Sequence, residues 1–243
     1  MAACAIISDV HANLEALHSV IAEIEKEDID YLLFLGDSVG YGPDPNKCVE
    51  LLRTKTSLMI AGNHDWGAVG LTETSNFNAH ARFAIEWTRE VLSKKNFSYL
   101  HNLPLTGKIS AGRDIFLVHG TPKEPEQWHY FLFEYDAKAN FRYFDEQICF
   151  LGHSHTPFIV ERSPRGKIRL FYARAEINDS CRYIVNAGSV GQPRDGNPDA
   201  CFILFKDDVI EIKRVSYDIL LTQKKMEKAG LPSYLIDRLA KGR

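Results

Sequence analysis

Five short segments of this 243-residue chain combine Asp, Asn and His with small neighbours. They are Ser8-Asp9-Val10-His11-Ala12-Asn13, Gly36-Asp37, Gly62-Asn63-His64-Asp65, His119-Gly120 and Gly152-His153-Ser154-His155. Taken singly, each reads as a turn, a helix cap or a structural histidine. Their coincidence carries the argument: five of the nine histidines (His11, His64, His119, His153 and His155) stand just past apolar runs that read as strands. Imidazole nitrogens together with carboxylate and amide oxygens suit Mn, Fe, Zn or Ni better than Ca or a thiolate-bound ion. No cysteine falls in these segments, which argues against a structural zinc site. The side chains are too many for one ion and reasonable for two. Two cations about 3.5–4 Å apart can share a carboxylate and clamp both oxygens of an in-line phosphoryl displacement.

The chain must bring those segments together, and its patterning suggests how. Residues 3–8 read as a short buried strand, followed by a helix that Asn13 can cap, with Leu14, Leu17, Ile21 and Ile24 at helical spacing. Strands are expected at 31–35 and 58–61, and helices at 46–53 and 77–92. The later chain reads mostly as strands, at 115–119, 147–151, 158–161, 168–172, 182–186, 201–205 and 209–215, with one helix near 135–144. Early strand–helix alternation followed by many strands predicts a layered α/β sandwich, with two packed sheets and helices outside. In such folds the carboxyl ends of parallel strands form the ligand crevice. No linker, repeat or low-complexity tract interrupts residues 1–243, so one domain is expected. Residues 216–243 read as two short amphipathic helices broken around 230–232 and packed on the body; a partner or dimer surface is the alternative, and a homo-oligomer stays open.

Bulk composition narrows the function classes. Lys and Arg number 29 against 32 Asp and Glu, a net charge of −3. That balance gives no polybasic footprint for nucleic acid or a membrane surface. Five scattered cysteines without a C-x-x-C pair read as small apolar core residues in a reducing compartment, so a cytoplasmic location is expected. The opening MAACAIISDV has neither the basic start nor the apolar length of a secretory signal, and no later run approaches a membrane span.

The set D-V-H, G-D, G-N-H-D, V-H-G and G-H-S-H, in that order from Asp9 to His155, resembles the calcineurin-like metallophosphoesterase superfamily. The resemblance implies an αββα sandwich of two mixed sheets flanked by helices, and covers all but about the last 25 residues. It implies that Asp9, His11 and His155 bind one metal, that Asn63, His119 and His153 bind a second, and that Asp37 bridges them. Mn is the foremost candidate, with Fe, Zn or Ni as alternatives. It further implies that a bridging hydroxide attacks phosphorus. His64 would lie by the substrate and protonate the leaving oxygen or stabilise phosphoryl charge. GDSVGYGPDP and NAGSVGQPRDGNP look more like small bacterial members than eukaryotic protein phosphatases, so the implied substrate is a small, nucleotide-like phosphorylated molecule.

One departure stands out. Where the protein phosphatases carry an Asp that orients the catalytic His and then a phosphate-binding Arg, this chain has Gly40 and Tyr41. Arg194 is the candidate replacement for the phosphate contact, and a loop arginine in solvent is the alternative. Asn13 is read either as a phosphate donor or as the helix cap alone. The aromatic run Trp128, Tyr130 and Phe131 is read as core packing, with stacking on a nucleobase as the other option. A non-catalytic scaffold of the same fold is opposed by the presence of His64 and the full ligand set. A nuclease is opposed by the net charge and the lack of a basic stripe.

Overall fold

A computed structural model describes residues 2–132 and 134–243. Two six-stranded mixed sheets pack face to face. The first runs in the order β3 (Leu58–Met59), β2 (Tyr31–Phe34), β1 (Cys4–Ile7), β11 (Ala200–Lys206), β12 (Val209–Val215), β9 (Arg174–Glu176). The second runs β4 (Thr106–Ser110), β5 (Asp114–Val118), β6 (Ile148–Leu151), β10 (Arg182–Asn186), β7 (Phe158–Arg162), β8 (Ile168–Phe171). Within them β1, β2 and β3 are mutually parallel, as are β5, β6 and β10.

The apolar runs of these strands are continuous because both faces are covered. In β1, Cys4 and Ile6 join the core between the sheets, while Ala5 and Ile7 pack outward against helix α1 (Leu14–Ile24). In β6 the same alternation sends Ile148 and Phe150 inward, and Cys149 and Leu151 toward Phe141 and Phe144 beyond α6 (Glu134–Asn140). Helices α2 (Pro45–Lys55), α3 (Asn63–Ala68), α4 (Ala79–Val91) and α5 (Lys94–His101) complete the helical cover of the N-terminal half. This is the four-layer α/β arrangement that the resemblance implied. All five cysteines are buried free thiols that pack as apolar side chains.

Helix α1 forms where its residues dictate. Asn13 caps it by accepting the Ala16 N–H at 3.1 Å, and Leu14, Leu17, Val20, Ile21 and Ile24 line its buried stripe. Each buried aliphatic side chain there contributes about 1.5–3 kcal/mol. Elements without so clear a pattern escaped the sequence reading: α3, α5, edge strand β4 and the three-residue β9. Beyond β12, α7 (Ile219–Lys228) and α8 (Ser233–Leu239) pack Met226, Leu235, Ile236 and Leu239 against Ala81 and Ala84 of α4 and against Tyr41. No helix among the described residues is long and apolar enough to cross a membrane.

Candidate metal centre

The loops that follow β1, β2, β3, β5 and β6 meet at one edge of the sandwich and bury Asp9, His11, Asp37, Asn63, His64, His119, His153 and His155. Their backbone is unusual. Asp9, His11, Asp37, His153 and His155 all have positive φ, between 48° and 64°, as do their neighbours Ala12 and Tyr41. A non-glycine residue there costs of order 1–2 kcal/mol. These seven are most of the eleven such residues among those described, so the strain concentrates at one place. Tight turning directly after a strand is what returns each side chain to the common centre.

Each aspartate spends one oxygen on the backbone and aims the other inward. Asp9 Oδ2 accepts the His153 N–H at 3.0 Å, and Oδ1 lies 3.1 Å from His155 Nε2, 3.6 Å from His11 Nε2 and 4.0 Å from His119 Nε2. Asp37 Oδ1 accepts the His64 N–H at 2.8 Å, and Oδ2 lies 3.3 Å from His119 Nε2 and 3.6 Å from His11 Nε2. Three imidazoles are fixed from behind: the Nδ1 atoms of His11, His119 and His155 face the carbonyl oxygens of Val39, Leu35 and Gln192 at 3.1, 2.8 and 2.6 Å. With Nδ1–H donating to those carbonyls, Nε2 offers its lone pair to the centre, the usual arrangement of a metal-ligating histidine. Asn63 Oδ1 sits 3.1 Å from His119 Nε2.

These donors fit divalent cations. Asp9 Oδ1 and His153 Nε2 are buried with no hydrogen-bond partner, a costly state unless a cation meets them. Ligand-type atoms fall into three groups that converge within 4.8 Å: Asp9, His11 and His155; Asp37, His119 and His153; and His11, Asp37 and His64. Burial works against ionising Asp9 and Asp37, yet the imidazoles of His155, His11 and His119 around the first, and of His119, His64 and His11 around the second, hold both carboxyls well below the usual range. Burial also works against charging His119, but Asp37 and Asp9 raise it to about 9. Burial and neighbouring cations push His153 and His155 down to about 3. Without metal the cluster thus keeps a proton on His119, which a cation would displace.

His64 is held differently. Its ring lies 4.5 Å from that of Tyr41, 4.7 Å from that of His11 and 5.3 Å from that of Phe77, centroid to centroid, and its buried Nδ1 has no partner. Gly40 explains part of this. With φ at +86°, it lies so close that a Cβ there would run into His64 Nδ1. An orienting carboxylate at position 40 is therefore excluded in this backbone, and aromatic packing takes its place.

Two sets of contacts are not legible in the sequence. Asp65, buried at the start of α3, accepts the N–H groups of Asp37 (2.8 Å), Ser38 (2.9 Å) and Gly62 (3.0 Å), and the Ser38 hydroxyl at 2.5 Å. It ties the loop after β2 to the loop after β3. Burial and the nearby Asp37 charge raise its carboxyl to about 6. The loop after β10 is a sixth contributor: Ser189 Oγ donates to Asp9 O at 2.8 Å, and Asn186 Nδ2 donates to Gly152 O at 2.7 Å. The local hint of Asp65 is its place three residues after Gly62 in the G-N-H-D segment; the partners of Ser189 and Asn186 leave no local signal.

Of the two candidate substrate contacts, Asn13 is engaged at both ends of its amide. Oδ1 accepts from Ala16 N and from Thr222 Oγ1, and Nδ2 donates to Gly191 O at 2.9 Å. Arg194 is half-buried behind Tyr41, its Nη2 donating to Tyr41 OH at 3.4 Å and to Gln192 Oε1 at 2.8 Å. The aromatic run divides. Phe131 enters the core beside Phe158, Trp128 packs edge-on to His119 and Trp66, and half-exposed Tyr130 stacks on His153 at 4.0 Å. A cleft of about 440 Å³ opens beside the centre, lined by Tyr41, Asn63, His64, Phe77, Trp128 and Tyr130 among others.

The calcineurin-like phosphoesterase superfamily domain model matches residues 3–208. An uncharacterized protein of Methanocaldococcus jannaschii is 41% identical over 242 residues, covering 98% of each chain. The phosphodiesterase YfcE of Escherichia coli K12 is 24% identical over 226 residues, covering 89% of this chain and 94% of its own. A metallophosphoesterase structure from Sphaerobacter thermophilus superposes with a TM-score of 0.87 at 39% identity, over 100% of this chain and 99% of that one. Layering, the convergent Asp and His donors and the matching family domain lead to one conclusion: the chain belongs to the calcineurin-like phosphoesterase superfamily and is a metal-dependent phosphoric ester hydrolase.

Proposed function

We propose that the protein hydrolyses a phosphodiester, phosphoanhydride or phosphomonoester bond of a small, nucleotide-like molecule with two divalent cations. Asp9, His11 and His155 would hold one, Asn63, His119 and His153 the other, and Asp37 would bridge them. The observation that carries this reading is the placement of Asp37 Oδ2, bare of backbone partners and 3.6 and 3.3 Å from histidines of the two groups. When bound, the cations would supply charge for the phosphoryl oxygens and lower the pKa of a water. Mn is the first choice, with Fe, Zn and Ni open to the same donors.

The remaining roles belong to the chain itself. His64 sits among the residues lining the cleft and lacks the carbonyl behind Nδ1 that fixes His11, His119 and His155, which favours proton donation to the leaving oxygen over ligation. Arg194 is assigned to phosphate binding. Asn13 is assigned to capping α1 and tying the loop at Gly191, since its amide is already engaged. The cleft volume suits a nucleotide-sized ligand, and Trp128 and Tyr130 offer aromatic surface beside it. The likeness to a phosphodiesterase favours diesters. Buried free thiols agree with a reducing, cytoplasmic setting. Turnover of bis-p-nitrophenyl phosphate with Mn, lost on chelation and restored by added metal, is the expected result. No turnover with Mn, Fe, Zn or Ni would reject the reading.

A further inference from the structure

Most arginines that reach a carboxylate in this fold are easy to account for: Arg113 pairs with Asp179 and Asp208, Arg169 with Glu161, and Arg214 with Asp195. Two in segments that meet the cleft-lining Tyr41 are different. Among the described residues Arg194 has no carboxylate partner; Nη2 donates to a phenol and an amide oxygen, and its buried Nε has no partner at all. Arg238, half-buried on α8, has no Asp or Glu partner among the described residues either; its Nε donates to the main-chain oxygen of Arg243, and its guanidinium lies 5.5 Å from the Tyr234 ring.

The fold ties together the segments that carry these two cations. Leu235, Ile236 and Leu239 of α8 pack on Tyr41, the same residue that Arg194 reaches from the other side. Just past α8, Gly242 O accepts the N–H of Gly196, two residues from Arg194, at 2.9 Å. Tyr41 in turn touches His11 and His64, so the pair lies one aromatic ring from the metal centre. Burial and the Arg194 charge push Arg238 below its ordinary value, and the phenols of Tyr41 and Tyr130 act on it in the opposite direction. Two half-buried guanidiniums with no Asp or Glu partner among the described residues are unfavourable unless another anion completes the group.

We propose that Arg238 joins Arg194 in a two-guanidinium site for a second phosphate of the substrate, next to the phosphoryl group held at the Asp and His centre. The proposal rests on the phosphoesterase reading above and narrows it to substrates with linked phosphates, such as a phosphoanhydride chain. It also makes α7 and α8 part of the binding machinery. Guanidinium suits this task because its planar fork meets two phosphate oxygens at once.

The test uses the full chain loaded with Mn, freed of excess metal and checked for metal content before and after titration. Orthophosphate and pyrophosphate are the calorimetric probes. Wild type should bind pyrophosphate more tightly than orthophosphate. Arg238→Ala should weaken pyrophosphate about 10–100-fold, the scale of a lost charge-assisted contact, and orthophosphate less than about threefold. Arg238→Lys, which keeps the packed stem and a point charge, should fall between and guards against misfolding. Wild-type pyrophosphate affinity in both variants overturns the site. Equal weakening of both probes overturns the second-phosphate assignment, since the pair would then serve the reacting group. Failure of the phosphoesterase reading looks different: no ester turnover with any metal, while the preference for pyrophosphate and its dependence on Arg238 persist.

Discussion

The floor of the site and its rim are built on different principles. On the floor, Asp9, Asp37, His119 and His155 are almost wholly buried, held by backbone donors and carbonyls from five strand ends and a sixth loop. On the rim, Trp128, Tyr130 and Arg238 are partly exposed, come from a loop and a late helix, and make few polar contacts. A floor tied on all sides resists movement and keeps a fixed set of donors. A rim of aromatic faces and guanidiniums without Asp or Glu partners among the described residues can change with little cost to folding. On the function proposed above, the chemistry would belong to the floor and the choice of substrate to the rim.

The sharpest way to break this contrast is Asp37→Asn. It should remove bound metal, read by elemental analysis, and lower hydrolysis at least ~10³-fold, the scale of losing a preorganised electrostatic partner. Two metals and full activity in that variant would end the division of labour. His64→Ala should keep both metals while slowing turnover by roughly 10²–10⁴. Loss of metal instead would place His64 among the ligands, as its grouping with His11 and Asp37 allows.

Asp65→Ala probes the floor's scaffolding. It strips the acceptor from three buried N–H groups, each worth ~1–3 kcal/mol when left unpaired, so thermal unfolding should move down by about 10 °C or more. An unchanged melting point would mean that the loops hold without it. pH gives a gentler test. His119 carries its proton up to about 9 in the metal-free site and must release it to bind metal. Metal affinity should therefore rise about tenfold per pH unit from 7 toward 9 and then level off; a flat profile would remove His119 from the ligand set. The rim should respond least. Trp128→Ala should raise KM for a nucleotide ester about tenfold, the scale of one stacking contact, with bound metal unchanged.

Much of the floor was legible because it is written locally. A short apolar run, a glycine or small residue and then Asp or His marks a parallel strand ending at a ligand-type side chain, and five such endings predict a shared centre. The Asn13 cap and the apolar stripe of α1 were equally plain. The role of Asp65 is not legible because, apart from Gly62 in its own segment, its partners lie in another loop, 27 and 28 residues away in sequence. Edge strand β4 and helix α5 escaped because half their residues face solvent and dilute the apolar period.

By itself the sequence determined the layered α/β class and the residue types available for metal chemistry, since both follow from short-range pattern and side-chain identity. Only the tertiary structure decided which carboxylate oxygen faces inward, that Gly40 leaves His64 to aromatic neighbours, and that the chain past α8 is tied to the Arg194 loop. Those outcomes depend on contacts between segments distant along the chain, and the direction of a bond between such segments is settled by packing.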